Sequence, residues 1–160
     1  MKYQNKRLLI YLSHFIEIII IDRIFKWVAY NYLYGKEEYF LPFLNLSFTW
    51  NKGISWGLFN GSNPLTFYLL TFFIAIVIAL FFSYTVYEHR RGEFVIFEIT
   101  LLGGAVSNFI DRIMYGAVID FLDFHAFGYH WPTFNFADVF IVLGAFGIIL
   151  KGLGWIFSKK

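Results

Sequence analysis

Long apolar runs alternate with shorter mixed stretches along this chain. Four of the runs reach the roughly 20 residues a helix needs to cross a bilayer. They cover about Leu8–Tyr30, Pro64–Tyr87, Phe94–Ile113 and Phe136–Phe157. Pro64 falls near the first turn of the second run, where its missing N–H costs little. The first run is too long for a cleaved signal peptide, and no small-residue cleavage site follows it, so it is expected to be retained. Between the first two runs lies YFLPFLNLSFTWNKGISWGLF, Tyr39–Phe59, rich in β-formers and broken by Pro42, Asn51, Gly53 and Gly57. It predicts short strands with a turn near Asn51–Gly53. Phe48, Trp50, Trp56 and Phe59 are too apolar for a solvated loop, which puts this piece at the membrane interface or along a cleft. The string GAVIDFLDF, Gly116–Phe124, is also strand-like. The pattern therefore predicts one all-α membrane domain over residues 1–160: a four-transmembrane-helix bundle with a small β-rich cradle on its outer face.

Composition sharpens this picture. Hydrophobic residues make up 59% of the 160 and charged residues 15%, with 22 Phe, 11 Tyr and 5 Trp. A soluble domain of this size carries about 25% charged residues and could not bury so much aromatic surface. There is no cysteine, which removes disulfides, thiolate metal sites and thiol nucleophiles. A net charge of +2 gives no reason to expect nucleic acid. Positive charge sets the orientation. Lys2, Lys6 and Arg7 precede the first run, Arg90 and Arg91 link the second to the third, and Lys159 and Lys160 end the chain. All three groups fall on one side of a four-span protein, so both termini are expected in the cytoplasm. The connections Asn31–Asn63 and Met114–Asn135 then face outward, with Trp27, Tyr30, Tyr32 and Tyr34 as an aromatic belt.

Ionisable groups within or beside the spans are costly, and each needs a partner or a use. Asp22 and Lys26 stand i,i+4 on the first run. Gly104, Asn108 and Arg112 share one face of the third, while Gly103 and Ser107 give a small-xxx-small spacing that admits a close neighbour. Asp111 and Arg112 can be read as an interface anchor. Asn135 and Asp138 fit the cap and third positions of the fourth helix, a variant of the capping box. Asp120 and Asp123 face opposite sides of an extended segment, so only one of them can meet Asp138. Val118, Leu122 and Phe124 surround Asp120, and such surroundings raise the pKa of a carboxyl. Two carboxylates held close share a proton, which is an acid–base pair able to activate water without a metal. Away from these, Glu98 and Lys151 lie at matching depths in the third and fourth runs and are expected to pair, with His14 and Glu17 as candidates to join them.

The strings GGAVSNFIDRIMYGAVIDF (Gly103–Phe121), FNFAD (Phe134–Asp138), DRIFK (Asp22–Lys26) and NKG (Asn51–Gly53) together resemble lipoprotein signal peptidase, or signal peptidase II. The resemblance covers nearly the whole chain, with the motifs in the family's order. It implies an aspartic endopeptidase of the bacterial inner membrane with a periplasmic site, acting on diacylglyceryl-modified prolipoproteins without metal or cofactor. By motif position it implies Asp120 and Asp138 as the catalytic dyad. Asn108, Arg112, Asn135 and Ala137 fall on its other active-site positions, Asn51 and Gly53 on its outer-loop motif, and Asp22 near the site with Lys26 one turn on. Gly104 belongs to the same third-span motif. Ser107 stands where the family usually has Gly, and Ile54, Ser55 and Trp56 where it usually has small residues and Phe. The expected partners are the substrate and membrane lipid, and the expected state is a monomer.

The rival class is a small proton-coupled transporter or channel subunit, whose acids would be spread through the bilayer as a relay. Here Asp22, Asp111, Asp120, Asp123 and Asp138 crowd the outer ends. A metal hydrolase would need ligands that His14, His89, His125 and His130 do not offer at a recognised spacing.

Overall fold

The computed structural model describes residues 2–53 and 64–158. Ile54, Ser55, Trp56 and Phe59, and the terminal Lys159 and Lys160, lie outside the described residues. Four helices and four short strands follow the order α1 (Lys2–Tyr32), β1 (Glu37–Leu41), β2 (Leu44–Asn51), α2 (Pro64–Arg90), α3 (Ile96–Tyr115), β3 (Val118–Ala126), β4 (Tyr129–His130) and α4 (Phe136–Ser158). Each expected run is a helix; α1, α2 and α4 reach beyond the expected bounds, while α3 begins at Ile96, past the expected Phe94, and runs on to Tyr115. Two of them, over Leu65–Arg90 and Phe136–Gly154, are long and apolar enough to cross a membrane. Charged residues interrupt α1 and α3, and these prove to be the most informative helices.

α3 is the central helix and packs against α1, α2 and α4. Small residues set how closely. A Cβ at Gly103 would lie 2.8 Å from Ile18 of α1, and one at Gly104 would collide with the Ala137 carbonyl of α4. On the α4 side, a Cβ at Gly144 would lie 2.6 Å from the Leu101 backbone nitrogen. Such seams suit a membrane, where helices gain by close backbone approach rather than by hydrophobic burial. α3 ends on Gly116, whose φ of 67° is left-handed and whose N–H closes on the Arg112 carbonyl at 3.2 Å. That turn sends the chain straight into β3.

The strands form one antiparallel sheet in the order β1-β2-β3-β4. The turn between β1 and β2 falls at Pro42 and Phe43, while Asn51 ends β2. The connections after α1 and after α3 therefore meet, β2 from the first lying beside β3 from the second. Ile119 and Phe121 of β3, with Phe48 and Trp50 of β2 packed beside them, cover Ala29 and Leu33 at the end of α1. The register holds a bulge: Leu46 pairs with Leu122 but Thr49 pairs with Asp120, so β2 has one extra residue in between. Slipping a strand by one residue exchanges its faces. Here the bulge puts Thr49 and Asn51 on the face of Asp120 and turns Phe48 and Trp50 towards α1.

Candidate active site

Asp138 is held by the start of its own helix. Its backbone N–H donates to Asn135 Oδ1 at 3.0 Å, and its Oδ2 accepts the Asn135 backbone N–H at 3.1 Å. This is the reciprocal capping box expected from the sequence. The other oxygen, Oδ1, accepts Asn108 Nδ2 at 2.8 Å. These amide donors and the helix start hold both oxygens of the Asp138 carboxyl in place.

Asp120 comes from β3 and is 1% exposed. Its Oδ1 accepts Asn135 Nδ2 at 2.6 Å and its Oδ2 accepts Asn51 Nδ2 at 2.9 Å. The Asn51 amide is oriented in turn, because its Oδ1 accepts the Gly53 N–H at 3.0 Å. Arg112 Nη2 donates to the Gly53 carbonyl at 2.7 Å and fixes the same turn. Burial, and then the charge of Asp138, push the Asp120 carboxyl up from 3.8 to about 7; the bonds from Asn51 and Asn135 and the charge of Lys26 oppose the rise. Asn135 thus serves both acids, capping the helix of one and donating to the other. Its amide also donates to the Ile119 carbonyl and to Asn108 Oδ1, both at 3.1 Å.

Behind these residues lies a buried ionic layer. Lys26 Nζ reaches Asn108 Oδ1 at 2.7 Å and Asp22 Oδ2 and Asp111 Oδ2 at 2.8 Å each. An ammonium only donates, so with Asn135 it takes the Asn108 oxygen and leaves the amide NH₂ for Asp138. Asp22 Oδ1 accepts the Ala137 N–H at 2.9 Å, and Ser107 Oγ donates to Asp22 Oδ2 at 2.6 Å. The hydroxyl of Ser107 is therefore used, not merely tolerated. Gly104 belongs to the site because only a residue without Cβ lets the first turn of α4 rest on α3 there.

Two members of this layer have partners that the sequence does not show. Arg23 Nη1 pairs with Asp111 Oδ1 at 2.6 Å, and Asp111 Oδ2 accepts the Ile119 N–H at 3.2 Å. Asp111 is thus no interface anchor with Arg112; it faces α1 and the strand, while Arg112 turns to Gly53. The available signal was a third charge, Arg23, beside Asp22 in an apolar run. Asp123 lies across β3 from Asp120 and pairs with His130 at 2.9 Å, as the strand alternation requires. His125 bonds Asn45 at 3.1 Å and stacks on His130.

Both acids open on one cleft of about 630 Å³. Asn51, Asn108 and Arg112 supply its polar wall; Ile74 of α2, Phe109 of α3 and Val142 of α4 are among its apolar lining. A chain in this cleft would meet two carboxyls, amide donors and a guanidinium at one end and hydrocarbon at the other. Far from it, Lys151 Nζ pairs with Glu98 Oε1 at 2.8 Å and donates to the Phe94 carbonyl at 2.7 Å. His14 does not join them: it bonds Thr100 at 3.0 Å and lies 3.9 Å from Glu17.

A family model described as "Signal peptidase (SPase) II" matches residues 14–153. The chain is 43% identical to the lipoprotein signal peptidase of Pelagibacter ubique (strain HTCC1062) over 73% of this chain and 69% of that one. It is 35% identical to the lipoprotein signal peptidase of Cupriavidus necator over 91% of this chain and 83% of that one. Among solved structures, it resembles a bacterial membrane enzyme determined by the in meso method at 2.3 Å, with a TM-score of 0.72, 29% identity, and coverage of 94% of this chain and 91% of that one. A second bacterial membrane enzyme, determined by the same method at 1.9 Å, gives 0.67 and 31%, covering 89% and 92%.

Proposed function

Because this chain belongs to the signal peptidase II family, we propose that it is an aspartic endopeptidase whose catalytic dyad is Asp120 and Asp138. Its reaction is the removal of signal peptides from prolipoproteins, and it is a peptidase of the bacterial membrane. The observation that carries the dyad is Asn135: one side chain joins two buried carboxyls from different elements, and both line one cleft.

In this reading Asp138 is ionised and takes a proton from water as the water attacks the scissile carbonyl. Asp120 keeps its proton, polarises that carbonyl and hydrogen-bonds the oxyanion as it forms. The tetrahedral intermediate collapses, the C–N bond breaks, and the leaving amine takes up a proton. Two similar acids run as acid and base because Asp138 sits at a helix start and Asp120 on a strand. Asn108, Asn135 and Asn51 hold the carboxyls, while Arg112 and Gly53 shape the turn over the cleft.

The substrate class is a diacylglyceryl-modified prolipoprotein, held by its signal helix and acyl chains, which suits entry from the lipid through the apolar end of the cleft. All four helices cross the inner membrane, with both termini cytoplasmic and the sheet at the periplasmic surface. The clusters of Lys and Arg on one side support that orientation. The enzyme acts as a single domain and a monomer, without metal.

The test is cleavage of a diacylglyceryl-modified prolipoprotein by the purified protein in detergent, with a chelator present. Asp120→Asn and Asp138→Asn should each lower kcat by at least about a thousandfold. Retained cleavage in either variant removes that residue from the dyad, and chelator-sensitive cleavage ends the metal-free mechanism.

A further inference from the structure

The ionic layer behind the cleft is built symmetrically about the two acids. Asp111 accepts the N–H of Ile119, the residue before Asp120, at 3.2 Å. Asp22 accepts the N–H of Ala137, the residue before Asp138, at 2.9 Å. Each active-site acid is therefore preceded by a backbone N–H held by a fully buried carboxylate. Lys26 bridges these two carboxylates at 2.8 Å each, and spends its third donor on Asn108, which donates to Asp138.

Lys26 alone cannot balance two buried carboxylates. A second cation is required, since an unpaired buried charge is strongly destabilising. Arg23 is that cation. Its Nη1 lies 2.6 Å from Asp111 Oδ1, and its Nη2 donates to the Ser107 carbonyl at 3.3 Å and approaches Asp22 Oδ2 at 3.5 Å. With two acids and two bases the layer carries no net charge. In front of it, Arg112 balances a dyad that holds a single proton.

We propose that Arg23 is a positioning residue of the peptidase: with Lys26 it closes a neutral four-charge clamp, Asp22–Lys26–Asp111–Arg23, that fixes the backbone entering both active-site acids and the charge the dyad senses from behind. This rests on the dyad reading above. The charged groups facing the dyad are then Asp22, Arg23 and Lys26 from α1 and Asp111 and Arg112 from α3. The sheet offers neutral Asn51, and Asp123 is turned away on His130.

The sign of the effect distinguishes the clamp from simple packing. Removing Arg23 leaves a net negative charge behind the dyad, disfavours its ionised form and moves both limbs of the pH–kcat profile to higher pH. Removing the charge of Asp111 does the reverse. Each displacement should reach up to about one pH unit. The experiment measures pH profiles of kcat and KM on a diacylglyceryl-modified prolipoprotein for Arg23→Gln, Arg23→Lys, Asp111→Asn and the double variant Arg23→Gln/Asp111→Asn. The expected result is opposite displacements in the two neutralising single variants, a profile restored to the parental position in the double variant, and a fall of about tenfold in kcat with little change in KM for Arg23→Gln. Arg23→Lys should recover most of that fall. Superimposable profiles, or singles displaced in the same direction, overturn the proposal. If Arg23→Gln does not fold, the displacement of Asp111→Asn to lower pH decides alone. The two readings fail separately: active Asp120→Asn or Asp138→Asn enzyme removes the dyad, whereas inactive dyad variants with an undisplaced Arg23→Gln profile remove only the clamp.

Discussion

Two buried ionic groups sit towards opposite ends of α3, and they differ in what they touch next. Towards its C-terminal end, Asp111 joins Asp22, Lys26 and Arg23, and every acid of that group passes a hydrogen bond on to the backbone beside Asp120 or Asp138. Near its N-terminal end, Glu98 meets Lys151, which also donates to the Phe94 carbonyl, and Glu98 Oε2 is buried without a partner among the described residues. Both groups solve the same problem, a charge inside an apolar bundle. Only the group around Asp111 is hydrogen-bonded to the backbone beside the two proposed catalytic acids. Burial and pairing alone therefore do not mark a functional ion pair; the onward bonds do.

The largest expected effect, after loss of either dyad acid, comes from Asn135. Asn135→Ala removes the cap of α4 and the donor shared by Asp120. The cap alone is worth about 1 kcal/mol of stability. The donor should matter more for rate, with kcat down by about a hundredfold. Measuring kcat beside the thermal midpoint separates the two. A variant that loses only stability would reduce Asn135 to a helix cap.

The pH dependence follows from Asp120. Its carboxyl is raised to about 7 by burial and by Asp138, and in the proposed mechanism it must be protonated to polarise the scissile carbonyl. Activity should therefore fall about tenfold per pH unit above that value. Stability follows the same sign. The fold favours the protonated acid, so this contribution is fully present below the ordinary value of 3.8 and is lost as pH rises through about 7. Asp120→Asn should flatten that part of the dependence of the thermal midpoint on pH. An unchanged slope would show that Asp120 titrates as it does in the unfolded chain.

A smaller effect separates the two seams of α3 and α4. Gly104→Ala drives a methyl into the Ala137 carbonyl, and Gly144→Ala drives one into the backbone at Leu101 and Phe97. Overpacking of this kind costs about 1–3 kcal/mol in either place. Only the first displaces the turn that carries Asp138, so only Gly104→Ala should lower kcat in the folded fraction. Equal losses of kcat in both would mean that the whole helix shifts as a rigid body.

Much of this arrangement is legible in the sequence, for identifiable reasons. Local signals survive folding: the box between Asn135 and Asp138 depends on three residues of separation and nothing else. The i,i+4 pair of Asp22 and Lys26 is fixed by helix geometry, and matched depth along two helices suffices for Glu98 and Lys151. Strand alternation correctly separates Asp120 from Asp123. The failures are all non-local. Nothing in Tyr39–Phe59 reveals that its strand joins β3, or that a bulge after Leu46 turns Asn51 towards Asp120. Without the bulge, Trp50 would occupy that face. Adjacency pairs Asp111 with Arg112 in the sequence, because no other relation is visible there. Its true partners, Arg23 and Lys26, lie more than eighty residues away on another helix.

The smallest prediction concerns the inner pair and tests the comparison from its uninvolved side. Glu98 is fully buried, while Lys151 reaches partly into the open. Glu98→Gln leaves an amide that can still accept from Lys151, so it should lower the thermal midpoint least. Lys151→Met strands a buried carboxylate and should cost more, on the order of 1–3 kcal/mol. The double variant should cost less than the sum of the singles, with a coupling of about 1 kcal/mol. Throughout, kcat of the folded fraction and its pH profile should stay at the parental position, because Lys151 bonds Glu98 and the Phe94 carbonyl, away from the cleft. A displaced profile in Lys151→Met would mean that charge at the far end of α3 is felt at the dyad. The distinction between the two groups would then be one of distance rather than of connection.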